Sequence, residues 1–296
     1  MYHFIVNRYS GNGKGNRSWN KIKQYLIQKN VDFRVYFSER SQHASEILSQ
    51  LKGGETVDQM VVAIGGDGTI NEVVNGLIGS ELTLGVVPAG SGNDFARSLQ
   101  IPSDPLQALD RILVGKRKQI DLLQVNQRFC LTVVGIGFDG RVAELTNQSN
   151  IKKWFGYVKL GKLSYGMNVL RALKTYHPSK VTVRVDDEVT VYDDVWLVTV
   201  ANVPYCGGGM QICPEASYFD GYFDICIVHS LSKFHLLRLF PKVYNGSHTS
   251  SPAVTTLRGK HVEVMSERPI VIHGDGETIG NTPVTVSIHS EALQVV

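Results

Sequence analysis

The chain reads as an α/β domain followed by a β-rich one, and three observations predict this. Through roughly the first 125 residues, short apolar runs alternate with amphipathic helix patterns, the grammar of a mainly parallel sheet covered by helices. Three of those runs are followed by polar, glycine-bearing loops, Asn7–Gly15, Gly65–Thr69 and Gly90–Asp94. Beyond Asp121 the pattern becomes strand-like runs interrupted by two helical islands. The domain boundary is expected between residues 124 and 125.

The elements follow in order. Tyr2–Val6 is a short apolar strand. Arg17–Lys29 sets Trp19, Ile22 and Leu26 on one helical face. Val31, Phe33, Val35 and Phe37 alternate as a strand does. Ala44, Ile47, Leu48 and Leu51 return to helical spacing, and Gly53-Gly54 ends that helix. Met60–Ile64 is the next strand, with a helix from Thr69, and Leu82–Val87 is another strand. Asp104 caps a helix with Pro105 at its first position and Gly115 past its end. In the second half Val181–Val185, Val189–Val191, Val195–Val200, Tyr222–His229, Val262–Met265, Ile270–His273 and Val284–His289 read as strands, with a turn at Asp186-Asp187-Glu188. The islands, Lys152–Leu173 and Ser232–Tyr244, mix basic residues with aromatic and aliphatic ones.

Bulk properties exclude several classes. A formal charge of +3 is too mild for a general nucleic-acid binder, so no nucleic-acid partner is expected. Cys130, Cys206, Cys213 and Cys226 have neither Cys-x-x-Cys spacing nor a zinc pattern, and read as reduced thiols of a cytoplasmic protein. The first residues form no signal-peptide pattern, and no apolar run approaches the ~20 residues that span a bilayer. If the substrate is a lipid, the protein must visit the membrane from the cytoplasm, by peripheral contact.

The chemistry concentrates where strands end. In Gly65-Gly66-Asp67-Gly68-Thr69 an apolar strand breaks into a glycine turn and a helix begins. Helix N-termini present unpaired amides and favour anions, which suits a phosphate. Asp67 is itself an anion there, so it is either the helix N-cap, a magnesium ligand between carboxylate and phosphate, or a proton acceptor. Ligands of parallel sheets sit outside the carboxyl ends of the strands, so the three glycine loops should converge on one site. None of them completes a P-loop or a G-x-G-x-x-G fingerprint. Late in the chain, Asp275 and Glu277 flank Gly276; they form either a hairpin turn or a carboxylate pair on one face of an extended segment. Asp220-Gly221 is either a tight turn or a hard-cation loop. The Lys152–Leu173 island is either a half-buried amphipathic helix or a membrane-contacting one.

Taken together, Gly65-Gly66-Asp67-Gly68-Thr69-Ile-Asn71-Glu72, Pro88-Ala-Gly-Ser-Gly-Asn93-Asp94-Phe95, Gly207-Gly208-Gly209-Met210, Asp220-Gly221 and Asp275-Gly276-Glu277 resemble the bacterial diacylglycerol kinase catalytic-domain family, soluble lipid kinases similar to sphingosine kinases. The resemblance covers nearly the whole chain. It implies a three-layer α/β nucleotide-binding domain over 1–124 with 290–296 returning to it, a β-sandwich-like lipid-substrate domain over 125–289, and a nucleotide cleft between them. It implies ATP contacts at Asn7, Arg8, Tyr9, Ser10 and Gly11, at Ser38, along Gly65, Gly66, Asp67, Gly68, Thr69, Asn71 and Glu72, and at Ser91. Arg8 stands where that first loop usually has proline. Asp67 and Asp94 resemble the pair that organises catalytic Mg2+, with Asp275 or Glu277 as proton acceptor. A structural Mg2+ is implied at Ser217, Asp220 and Tyr222, with Asp121 linking it to the catalytic side.

The function this implies is ATP- and Mg2+-dependent phosphorylation of a lipid hydroxyl at the inner face of the cell membrane, a step of phospholipid metabolism. The alternatives are a soluble small-molecule kinase of the nicotinamide-dinucleotide type, which shares Gly-Gly-Asp-Gly-Thr, and a non-catalytic, nucleotide-responsive membrane-binding module. An edge strand of the β-rich domain could also pair a homodimer.

Overall fold

The structure, a computed structural model, describes residues 1–40, 42–51, 59–148 and 169–296. It divides into two compact units, Met1–Leu122 with His289–Val296, and Leu123–Ile288. The Gly53-Gly54 helix stop and residues 152–168 of the first helical island lie outside the described residues.

In the first unit β1 (Tyr2–Val6), β2 (Phe33–Phe37), β3 (Met60–Gly65) and β4 (Thr83–Pro88) lie in the order β2-β1-β3-β4, all parallel. Helices α1 (Ser10–Gln28), α2 (His43–Leu51), α3 (Asp67–Leu77) and α5 (Pro105–Val114) cover the sheet, and the short α4 (Asp94–Ser98) follows the third glycine loop. Right-handed crossovers determine the faces. The chain leaves β1 for β2 in one direction and then crosses back toward β3 and β4. This puts α1 and α5 together on one face and α2 and α3 on the other, as their packing shows. The strand order reverses between β1 and β3, which makes a switch point at their carboxyl ends. The strands are near-continuous apolar runs because both faces are covered: Val61, Val62, Ala63 and Ile64 are all fully buried.

Helix α1 starts earlier than its apolar periodicity indicates. It opens at Ser10, and Gly11, Asn12 and Gly13 take left-handed conformations (φ 54°, 54° and 79°) before the regular helix runs on. Helix α5 follows its sequence signals closely: the Asp104 carboxylate accepts from the Leu106 and Gln107 amides, Pro105 begins the helix, and Gly115 ends it at φ 71°.

In the second unit β7 (Val133–Gly137), β10 (Leu197–Ala201), β13 (Phe223–Val228), β14 (Val254–Gly259), β16 (Val271–Gly274) and β17 (Glu277–Asn281) form an antiparallel six-stranded sheet in the order β14-β13-β10-β7-β16-β17. A second layer contains β8 (Ser179–Val185), β9 (Glu188–Val195), β15 (His261–Ser266) and the start of β18 (Val284–Val295), with β5 (Lys118–Val125) paired to β6 (Arg128–Cys130). Residue alternation decides what each face meets. Val134, Ile136, Val198, Val200, Ile225 and Ile227 point into a core shared with Val183, Val262 and Val286 of the second layer, which makes a sandwich. Val133, Ala201, Cys226 and Val228 point the other way, under α6 (Phe138–Gln148), α7 (residues 169–175) and α8 (Lys233–Leu239). A two-stranded ribbon, β11 (Tyr205–Cys206) with β12 (Met210–Gln211), is joined through Gly207–Gly209, all at positive φ.

Candidate active site

The glycine loops of the first unit are sewn to one another at the switch point. The Asn7 side chain donates from Nδ2 to Thr69 Oγ1 at 3.0 Å, joining the loop after β1 to the start of α3. Its Oδ1 accepts from the Tyr9 and Ser10 amides at 3.1 and 3.2 Å. Ser10 Oγ donates to the Ala89 carbonyl, and the Ala89 amide donates to the Gly65 carbonyl at 2.7 Å. Asn93 closes the third loop on itself, accepting from the Gly90 amide at 2.8 Å and donating to the Gly90 carbonyl at 3.0 Å. Two glycines are required by proximity alone. A Cβ on Gly11 would stand 2.2 Å from the Ala89 carbonyl oxygen, and one on Gly90 would stand 2.4 Å from Gly66 Cα. Backbone atoms on both sides leave no room for a side chain to move aside.

Asp67 is not the N-cap of its helix. Gly66 holds that position in extended conformation, and Asp67 is the first helical residue. Its Oδ1 instead accepts the Phe95 amide at 3.2 Å, so this carboxylate serves the first turn of α4. Asp94 precedes that amide directly and is 5% exposed. The two acids implied for magnesium therefore lie on loops bound to each other. Carboxylate oxygens are the hard donors that Mg2+ takes.

The remaining positions of the implied nucleotide site surround this core. Arg8 pairs with Glu39 at 3.1 Å and lies over the Phe37 ring, taking up with side-chain contacts the place of the usual proline. Tyr9 and Ser91 are exposed, and Gly68 has open space around it. Ser38 is buried at the end of β2, where its amide bonds the Val6 carbonyl. Asn71 and Glu72 lie one turn further along α3; the Asn71 side chain accepts from Asn75, and the Glu72 carbonyl accepts from Ser45 Oγ.

In the second unit the acidic pair does not share a face. Asp275 and Gly276 are the two-residue turn between β16 and β17, at φ 49° and 86°, which breaks the extended geometry on which the shared-face expectation rests. The Asp275 carboxylate is turned inward. It accepts the amides of Leu131 (2.7 Å), Thr132 (2.9 Å) and Val133 (3.2 Å), as well as the Thr132 hydroxyl. Glu277 begins β17, is exposed, and lies 3.5 Å from Arg128. The implied structural-metal loop is also occupied by protein. Asp220 accepts the Tyr222 amide at 3.0 Å and pairs with Arg258, which in turn lies over the Tyr222 ring. The contribution implied for Ser217 is its backbone carbonyl; its hydroxyl is buried without a hydrogen-bond partner. Asp121 belongs to the first unit, where it accepts the Glu291 amide at 2.8 Å.

Sequence reasoning missed Asp139. Its Oδ2 accepts Thr199 Oγ1 at 3.2 Å and lies 3.4 Å from His273 Nε2, while His273 Nδ1 accepts the Gly276 amide at 3.2 Å. Thr199, Gly135 and His273 are in register across β10, β7 and β16. A Cβ on Gly135 would stand 2.1 Å from Asp139 Oδ2, so the bare glycine admits the carboxylate. Asp139, Thr199 and His248 are the polar residues of a mainly apolar cavity of about 90 Å³ lined by Phe138, Val142, Leu173, Leu197, Met210 and Phe240. The signal was present: Gly137-Phe-Asp139-Gly140 after an apolar run repeats the pattern around Asp67.

Comparison with known proteins agrees with both units. Residues 1–125 match the diacylglycerol kinase catalytic domain, and residues 132–296 match the YegS C-terminal NAD kinase beta sandwich-like domain. A diacylglycerol kinase of Bacillus subtilis is 33% identical over 272 residues, covering 88% of this chain and 87% of its own. One from Mycobacterium tuberculosis is 30% identical, covering 98% and 93%. The crystal structure of a diacylglycerol kinase from Bacillus anthracis superposes with a TM-score of 0.75 at 20% identity, over 100% of this chain and 96% of that one. With relatives this similar over nearly their full length, the chain belongs to the bacterial diacylglycerol kinase family of lipid kinases.

Proposed function

We propose that this lipid kinase transfers the γ-phosphate of ATP to the hydroxyl of a diacylglycerol-type lipid, with Glu277 as proton acceptor. The observation that carries the reading is the joining of three glycine loops through Asn7, Ser10, Ala89 and Phe95 at the carboxyl ends of β1, β3 and β4. This arrangement holds backbone amides and two carboxylates in fixed relation, as phosphoryl transfer requires. Asp67 and Asp94 would hold catalytic Mg2+, and Ser217, Asp220 and Tyr222 a structural one. Bound Mg2+ supplies positive charge to the phosphate oxygens as the bond to the leaving group breaks. The acceptor oxygen attacks the γ-phosphorus in line, its proton passes to the Glu277 carboxylate, and ADP departs. Asp275 is unsuited to that task, since its oxygens already accept three amides and a hydroxyl.

The apolar cavity of the second unit favours a lipid acceptor over a dinucleotide, with Asp139 positioned to accept from a hydroxyl group. Among the described residues no helix is long and apolar enough to cross a membrane. We further propose that the enzyme meets its lipid as a peripheral membrane protein on the ATP-containing side. The test is labelled ATP, magnesium and a total lipid extract, followed by identification of the phosphorylated species. Asp67→Ala should lower kcat by on the order of 10²–10³. Its loss of the Phe95 amide contact should cost only about 1 kcal/mol of stability. An Asp67→Ala enzyme with unaltered turnover would overturn the assignment.

A further inference from the structure

We propose that the outward face of α7, α8 and the 3₁₀ turn Phe240–Asn245 docks onto an anionic phospholipid bilayer. Helix α8 is apolar on two sides. Leu236, Leu239 and Val243 face inward, and with Phe240 and the partly exposed Leu237 they line the apolar cavity. Phe234 and Leu237, three residues apart and so on one face of the helix, are nevertheless 60% and 41% exposed. Tyr244 is 49% exposed, and Leu170 on α7 is 58% exposed. A surface helix normally turns charged residues outward and keeps its large apolar residues inside. Here the outer side mixes the two as an interfacial helix does.

The charges are of one sign. Arg171, Lys174, Lys233, Arg238 and Lys242 lie on these segments, and neither 169–175 nor 229–262 contains an aspartate or glutamate. Among the described residues none of the five is ion-paired with a carboxylate. Arg238 lies 4.3 Å from the centre of the Phe234 ring, which keeps cation and aromatic side by side, as a headgroup layer would meet them. Lys233 Nζ donates to the Lys174 carbonyl at 3.3 Å and so joins the start of α8 to the end of α7 as one surface. Five cations without counter-charges beside exposed aromatics complement an anionic bilayer. A second copy of this chain would bring the same positive face against itself. The inference rests on the lipid-kinase reading and deepens it: the surface borders the cavity wall, so an acyl-bearing substrate would pass from the bilayer beside that wall.

The experiment uses the full chain and vesicles of phosphatidylcholine with or without phosphatidylglycerol. Wild type should sediment with the anionic vesicles, less so as salt rises, and weakly with the neutral ones. Each basic residue at such a surface contributes roughly fivefold to partitioning. The variant Phe234→Ser/Arg238→Glu/Lys242→Glu should therefore bind at least about 25-fold more weakly. It should melt as wild type does and phosphorylate dispersed short-chain diacylglycerol at the same rate. If its folding is impaired, Arg238→Gln and Lys242→Gln serve instead, each expected to weaken binding about fivefold. The proposal is overturned if the variants sediment as wild type does, if wild type ignores phosphatidylglycerol, or if the variants lose self-association while keeping vesicle binding. Absence of any phosphorylated lipid, with vesicle binding still dependent on this face, would refute the kinase reading and leave the docking surface standing.

Discussion

Two carboxylates two residues apart have opposite environments, and that separates their roles. Asp275 is a structural acceptor: an asparagine there would aim its amide group at a backbone donor and lose charge-assisted bonds to residues 142–144 positions away in sequence. Asp275→Asn should cost about 2–4 kcal/mol, seen as a lower melting temperature. Glu277 has only an exposed ion pair with Arg128 to lose, worth about 0–1 kcal/mol. Glu277→Gln should therefore melt normally while kcat drops by on the order of 10²–10⁴. A stable but inactive Asp275→Asn beside an active Glu277→Gln would reverse the assignment. The sequence marked both acids as candidates but could not separate them, because Asp275's partners are distant in the chain and visible only in the fold. The same limit hid Arg258 beside Asp220. That ion pair is half-exposed and worth about 0–1 kcal/mol, a small barrier to a divalent ion. Magnesium should therefore raise the melting temperature of wild type by linkage, about 2.7 kcal/mol of stabilisation at a hundredfold excess over Kd, and leave Asp220→Ala unmoved. A wild-type melting temperature identical in magnesium and chelator would remove the metal from that loop.

At the scale of elements, what the sequence shows most clearly is the strand, glycine turn and helix unit, because apolar period and glycine placement are both local. The loops after β1, β3 and β4 were legible as polar, glycine-bearing turns, and parallel strands bring them together at one sheet edge. Their mutual hydrogen bonds were not legible, nor was the left-handed opening of α1, since Gly11–Gly13 has no apolar periodicity to read. The contact between the Gly66 and Gly90 loops gives a test of whether loop geometry itself matters. In Gly90→Ala the new Cβ would lie 2.4 Å from Gly66 Cα and 2.9 Å from Asn93 Oδ1. The loops must then separate, displacing Asn93 and the start of α4. ATP affinity, measured by calorimetry, should fall at least tenfold, roughly 1.4 kcal/mol, with little change in α/β content by circular dichroism. Wild-type affinity in Gly90→Ala would mean that the site does not depend on this close approach.

At the scale of the whole molecule, residues His289–Val296 complete the first unit. After β15 pairs with Val284–Ser287, β18 continues until Val295 stands parallel to Leu84, and the Val296 amide bonds the Leu84 carbonyl at 3.0 Å. Gln294 accepts Thr83 Oγ1, and the Glu291 amide bonds Asp121. Leu293, Val295 and Val296 are 3%, 1% and 3% exposed. At about 1.5–3 kcal/mol for each buried aliphatic side chain, these three alone contribute roughly 5–9 kcal/mol. That is comparable to the whole stability of a typical domain, about 5–15 kcal/mol. Truncation before Ser290 should therefore unfold the first unit and abolish ATP binding, while the antiparallel pairs of β7, β10 and β13 persist. Hydrogen exchange resolves the two: amides of β1 and β3 should exchange at nearly unfolded rates and those of β10 and β13 stay protected. A peptide of residues 289–296 added in trans should restore protection to β3 and β4. If β1 and β3 remain protected in the truncated chain without the peptide, the first unit folds on its own residues and the returning strand is dispensable.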